Sequence, residues 1–200
     1  VAKASSTITW SAPAGITYGT ALSSTQLNAT ASVPGTFTYT PAAGTVLHAG
    51  SAQTLQAAFT PTDTANYATA TKTVTLSVAK APLVAQASDQ QRTMGAANPA
   101  LDISYSGFVN GDTVEDLDTL PTASTTATTA SAAGQYAITL SGGSDGDYAF
   151  TLRNGTLTVM GIDAPQYTRA PQPATVAAGG RAGLGVTVTS WPLSTNDAAD

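Results

Sequence analysis

The sequence predicts an all-β chain built from tandem β-sandwich modules, and three observations carry that reading. Apolar residues recur at every second position in short runs, the period that gathers them on one sheet face. Clusters of Pro, Gly, Asn and Asp separate these runs at short intervals. The composition is short of helix formers other than Ala: Ala, Thr and Ser make up about 45% of the 200 residues, against one Glu and three Lys. β-branched Thr suits a pleated surface.

The opening Val1-Ala2-Lys3-Ala4 recurs as Val78-Ala79-Lys80-Ala81. The recurrence predicts a segment of a repeat array that begins on the last residues of a preceding module's strand. The first residues also lack a basic stretch followed by an apolar run, as expected for a mature chain or a piece of a longer one. Within residues 1–80, alternation marks strands at Ile8 and Trp10, at Phe37 and Tyr39, through Leu55, Ala57 and Phe59, and through Val74, Leu76 and Val78. Trp10 shares its face with Ile8 and is expected in the core. Asp63-Thr64-Ala65-Asn66-Tyr67 predicts a capped turn that places Tyr67 at a sandwich corner in a structural role.

Residues 81–161 form a second unit, with alternation through Leu83, Ala85 and Ala87; Leu101, Ile103 and Tyr105; Tyr136, Ile138 and Leu140; Tyr148, Phe150 and Leu152; and Leu157 and Val159. Asn154-Gly155 predicts a hairpin joining the last two strands. One short helix is expected near Asp112–Leu117, with Asp112 as N-cap and Glu115 completing a capping box. The Thr, Ala and Ser tract from Pro121 to Ala133 fits either an edge strand or a loop. Residues 162–200 read as a Pro-containing connector followed by an incomplete Ig-like strand, Gly183–Thr189.

Residues 5–80 resemble the bacterial Ig-like repeats of large exported proteins. The resemblance rests on Ile16-Thr17-Tyr18-Gly19-Thr20-Ala21-Leu22, Gln26-Leu27-Asn28-Ala29, Gly35-Thr36-Phe37-Thr38-Tyr39 and Phe59-Thr60-Pro61-Thr62-Asp63-Thr64-Ala65-Asn66-Tyr67. Residues 82–160 resemble MBG repeats through Asn98-Pro99-Ala100-Leu101, Tyr105-Ser106-Gly107-Phe108-Val109-Asn110-Gly111-Asp112, Gly134-Gln135-Tyr136-Ala137-Ile138 and Asn154-Gly155-Thr156-Leu157-Thr158-Val159. Met94-Gly95 stands where that family usually carries Tyr-Gly, and Met94 is expected to fill the same apolar slot. Residues 164–189 resemble the opening strands of a further Ig-like repeat. The resemblance implies a spacer or stalk in a bacterial surface or secreted protein such as an adhesin, with no catalysis and no shared binding residues.

Several function classes are excluded on chemistry. A net charge of −5 repels a phosphate backbone, which argues against nucleic acid as a partner. No run approaches the roughly 20 apolar residues that span a bilayer, so no membrane insertion is expected. The absence of Cys removes disulfides and thiolate metal sites. His48, the single histidine, has no nucleophile or carboxylate in any local motif, so no catalytic or cofactor-binding residue is assigned. Calcium is the one cofactor for which the sequence offers candidate ligands. Its weak candidates are Asp145 and Asp147, in an Asp-Gly-Asp loop, and the group Asp112, Glu115, Asp116 and Asp118, both read more simply as turn and cap chemistry.

Asn28 and Asn154 match glycosylation patterns that a Thr-rich chain generates by chance. The expected partners are neighbouring repeats of the same chain and, through Gly183–Thr189, other copies of itself. That second pairing would make the chain a filament subunit assembled by strand addition. A glycan-binding module, using aromatic residues such as the more open Trp191, is the third reading. Charge is uneven: residues 1–80 carry +2 (Lys3, Lys72 and Lys80 against Asp63), and residues 81–161 carry −6 (Arg92 and Arg153 against eight acids).

Overall fold

The computed structural model describes residues 2–161, and the Gly183–Thr189 strand, Trp191 and the rest of 162–200 lie outside the described residues. The described chain is all-β with one turn of 3₁₀ helix. Strands β1 (Ile8–Thr9), β2 (Ile16–Thr17), β3 (Thr30–Ala31), β4 (Gly35–Thr40), β5 (Gly50–Pro61) and β6 (Ala70–Ala79) form its first half. They make a four-stranded sheet in the order β2-β6-β5-β4 and a two-stranded sheet β1-β3. The β2–β6 pair is parallel, while β5 runs antiparallel to both β4 and β6.

The period of 2 holds where the core is made. Leu55, Ala57 and Phe59 on β5 are at most 1% exposed and meet Leu76 and Val78 on β6. Burying a Leu or Phe contributes about 1.5–3 kcal/mol. Trp10 is buried as expected, edge-on to Tyr39, and its indole N–H donates to the Gln26 carbonyl at 3.1 Å. The corner at Tyr67 is fastened by Asp63, whose carboxylate accepts from the Asn66 amide and side chain and whose carbonyl accepts from the Tyr67 amide.

The second half contains β7 (Ala81–Ala87), β8 (Gln90–Thr93), β9 (Ile103–Ser106), the 3₁₀ turn Val114–Asp116, β10 (Thr119–Thr125), β11 (Gly134–Ser144), β12 (Tyr148–Arg153) and β13 (Gly155–Met160). One sheet has the order β10-β11-β13-β8 and the other β12-β7-β9. Leu83, Ala85, Ala87, Ile138, Leu157 and Val159 are almost fully buried between them. Arg92 is buried too. Its guanidinium donates to Asn98 Oδ1 at 2.7 Å and to the Thr93 and Thr128 carbonyls, and Asn98 in turn holds the Ala127 carbonyl.

Four expectations change or resolve here. The capping box sits one residue later than expected, on Thr113 and Asp116 in place of Asp112 and Glu115, because Asp112 is turned toward two tyrosines, and the helix is a single 3₁₀ turn. Asn154-Gly155 is no hairpin: β12 pairs in parallel with β7 while β13 pairs with β11 and β8, so the chain crosses from one sheet to the other. Neither residue has the positive φ that a two-residue hairpin needs, and a Cβ on Gly155 would stand 2.6 Å from the Ala87 carbonyl. Met94 fills no interior slot, being 39% exposed beside Met160 at 41%. The low-complexity tract divides into edge strand β10, up to Thr125, and a loop beyond it.

No sheet crosses residue 80, yet the chain up to Met160 is one compact unit. A single apolar cluster runs from Ile8, Leu55 and Val78 into Ala81, Leu83, Leu117 and Tyr148.

Candidate functional site at the junction of the two halves

Only Lys80 separates β6, which ends at Ala79, from β7, which begins at Ala81. A one-residue connection between two paired strands leaves no slack for a hinge, and side chains close the junction around it. The Ala81 amide donates to the Asp147 carbonyl at 2.9 Å, and Lys80 Nζ donates to the Asp145 carbonyl at 2.6 Å.

At the centre lies an aromatic and carboxylate cluster. Tyr18, just past β2, is 7% exposed, and its hydroxyl donates to Asp112 Oδ2 at 2.8 Å. Tyr148, at the start of β12, donates to the same oxygen at 2.8 Å while accepting from the Val109 amide at 3.0 Å. The two rings meet edge to face at 5.5 Å, a favoured aromatic geometry. Burial, reinforced by the Asp112 carboxylate, pushes the Tyr148 phenol up to about 12 and raises that of Tyr18. Backbone is in contact as well. Gly19 holds φ +90°, and a Cβ there would stand 2.6 Å from Val109 Cγ2. Only a glycine allows this approach.

His48 closes one side of the cluster. Its Nδ1 donates to Asp147 Oδ2 at 2.7 Å, while Asp147 Oδ1 accepts from the Ala49 amide at 2.6 Å. The imidazole stacks on Tyr18 with centroids 6.3 Å apart, yet its side chain remains 83% exposed. Hydrogen bonding to Asp147, then its charge, raises the His48 pKa above the ordinary value. The halves thus meet at this point through an imidazole N–H on a carboxylate.

The acidic residues singled out from sequence are used in this framework. Asp145 accepts from the Asp147, Tyr148 and Asp118 amides, Asp118 accepts from the Gly146 amide, and Asp116 caps Thr113. Among the described residues no three His, Asp or Glu side chains are grouped to hold a metal ion. Sequence reasoning missed Tyr18, Gly19 and Val109 as junction residues, and it missed the partner of His48.

Residues 83–158 match the family model described as the MBG domain (YGX type). This stretch is an MBG-type domain. It begins three residues after Lys80. No curated protein and no solved structure matches the chain. MBG domains as a family are non-catalytic repeat modules that occur in extracellular surface proteins, and here residues 109–112 and 145–148 of the MBG-type domain supply its half of the junction. Among the described residues no helix is long and apolar enough to cross a membrane.

Proposed function

We propose that the chain is a non-enzymatic spacer segment of a bacterial cell-surface or secreted modular protein, in which an Ig-like module and the MBG-type domain are held at one fixed orientation. The observation that carries this reading is the single-residue connection at Lys80, closed by a shared core and by the Tyr18, Tyr148 and Asp112 cluster. A spacer must transmit position from one end to the other, so each joint has to resist bending. Exposed faces of Thr and Ser suit an extracellular array, because they keep sheet surfaces solvated.

The chain has no native cysteine, so two introduced ones report its geometry. Nitroxides on exposed Thr73→Cys and Ala137→Cys, one on each side of the junction, are expected to give a single narrow distance distribution in the full chain. A broad or multi-peaked distribution defeats the spacer reading.

A further inference from the structure

The internal junction has a repeated geometry whose two halves recur, unmatched, elsewhere among the described residues. On the receiving side of the junction, Ala81 pairs in parallel with Tyr148, its amide donates to the Asp147 carbonyl at 2.9 Å, and Asp145 caps the turn before the tyrosine. At the opposite end of the first half the same pattern stands again. Ala4 pairs in parallel with Tyr67, its amide donates to the Asn66 carbonyl at 2.7 Å, and Asp63 caps the turn before the tyrosine. The sequence repeat Val1–Ala4 and Val78–Ala81 is therefore matched by a repeat of the strand entry itself.

The presenting side recurs as well. At the junction the Tyr18 amide donates to the Ala79 carbonyl at 2.8 Å and Gly19 follows with φ +90°. In the MBG-type domain the Met94 amide donates to the Met160 carbonyl at 2.8 Å and Gly95 follows with φ +85°. Tyr18 is covered and a Cβ on Gly19 would strike Val109; Met94 is exposed and a Cβ on Gly95 would meet nothing within 4 Å.

We infer that the end formed by Val33, Pro34, Asp63 and Tyr67 is a module-docking surface whose occupant is the Met94–Gly95 end of a second copy. The inference rests on the spacer reading. These residues line a cavity of about 340 Å³, and the thioether side chains of Met94 and Met160 are flexible apolar fillers for such a space. Asn66, a neutral side chain, occupies the turn position of Asp147, so this docking needs no counterpart of the His48–Asp147 contact. Head-to-tail contacts between two different ends build an open array wherever the rotation from copy to copy does not close a ring.

A tandem chain tests it, with residues 1–160 running directly into residues 3–200 of a second copy. Val159-Met160-Lys3-Ala4 then stands where Val78-Ala79-Lys80-Ala81 stands inside each copy. Nitroxides at Ala137→Cys of the first copy and Thr73→Cys of the second report the new junction, and the same two sites within one copy report the internal one. The expected result is two narrow distributions, with Val33→Asp and Tyr67→Ser in the second copy widening only the new one severalfold. A broad distribution at the new junction beside a narrow internal one overturns the inference and leaves the spacer reading standing. Two broad distributions overturn both, and a new junction that stays narrow with Val33→Asp and Tyr67→Ser in place overturns this surface.

Discussion

The hydroxyls of Tyr18 and Tyr148, on opposite sides of the Lys80 connection, donate to the same oxygen, Asp112 Oδ2, each at 2.8 Å. Removing one donor costs an ordinary hydrogen bond, whereas removing the acceptor takes a charged partner from two buried phenols at once, of which Tyr148 keeps its contact with Val109. Tyr18→Phe is expected to cost about 1 kcal/mol and Asp112→Ala about 2–3 kcal/mol in urea denaturation. The double variant should cost less than the sum, since both changes act on one bond. Additive costs would mean that the two residues do not share one bond at the junction.

The raised Tyr148 phenol sets an alkaline limit. The folded state favours the neutral phenol, so this stabilisation is complete below the unfolded value near 10 and is lost as pH rises through the folded value of about 12. Two pH units correspond to about 3 kcal/mol. Tyr148→Phe should flatten stability against pH across that window, followed by denaturation at each pH. An unchanged slope would refute the assignment.

At the His48–Asp147 contact the direction is the same and the window lower. The raised folded pKa means that the added stability is present below the unfolded value of about 6.5 and disappears as pH climbs through the folded value. An exposed pair of this kind contributes up to about 1 kcal/mol. Stability should fall modestly from mildly acidic to mildly alkaline pH, below the window in which Tyr148 ionises, and His48→Ala should abolish that fall. Retention of the same pH profile in His48→Ala would count against the contact.

Gly19→Ala places a methyl group against Val109 and forces a side chain into positive φ. The expected cost is about 1–3 kcal/mol. Val109→Ala in the same chain should return the steric part of that loss and leave the backbone part. Failure of the second change to recover any stability would mean that the halves do not meet there.

Asp145 has its oxygens occupied by three amides, and Asp147 is shared between His48 and Ala49. Millimolar calcium is therefore expected to leave the thermal midpoint unchanged. A rise of several degrees that Asp145→Ala removes would restore calcium as a ligand of this loop.

The strands with strict alternation, such as Leu55 to Phe59 and Leu83 to Ala87, could be read directly because one face of each is buried and the other half-buried or exposed. β2 and β3 are two residues each, too short to carry a period. Asn154-Gly155 misled because a local turn signal says nothing about which sheet receives the next strand. The junction was hidden for a similar reason. Tyr18 and Asp112 lie 94 residues apart, and His48 and Asp147 lie 99 apart, so no local motif joins them. Each carboxylate stood out alone, and its partner appeared only once topology brought the two halves together.

The strands on either side of Lys80 are interior members of their sheets: β6 lies between β2 and β5, and β7 between β12 and β9. Tension carried along the backbone therefore enters and leaves through strands held on both flanks. Such a pull loads the ladders lengthwise, in shear, so that several hydrogen bonds must yield at once where an edge strand would peel one bond at a time. At Lys80, load passes from one half to the other without crossing an edge strand of either.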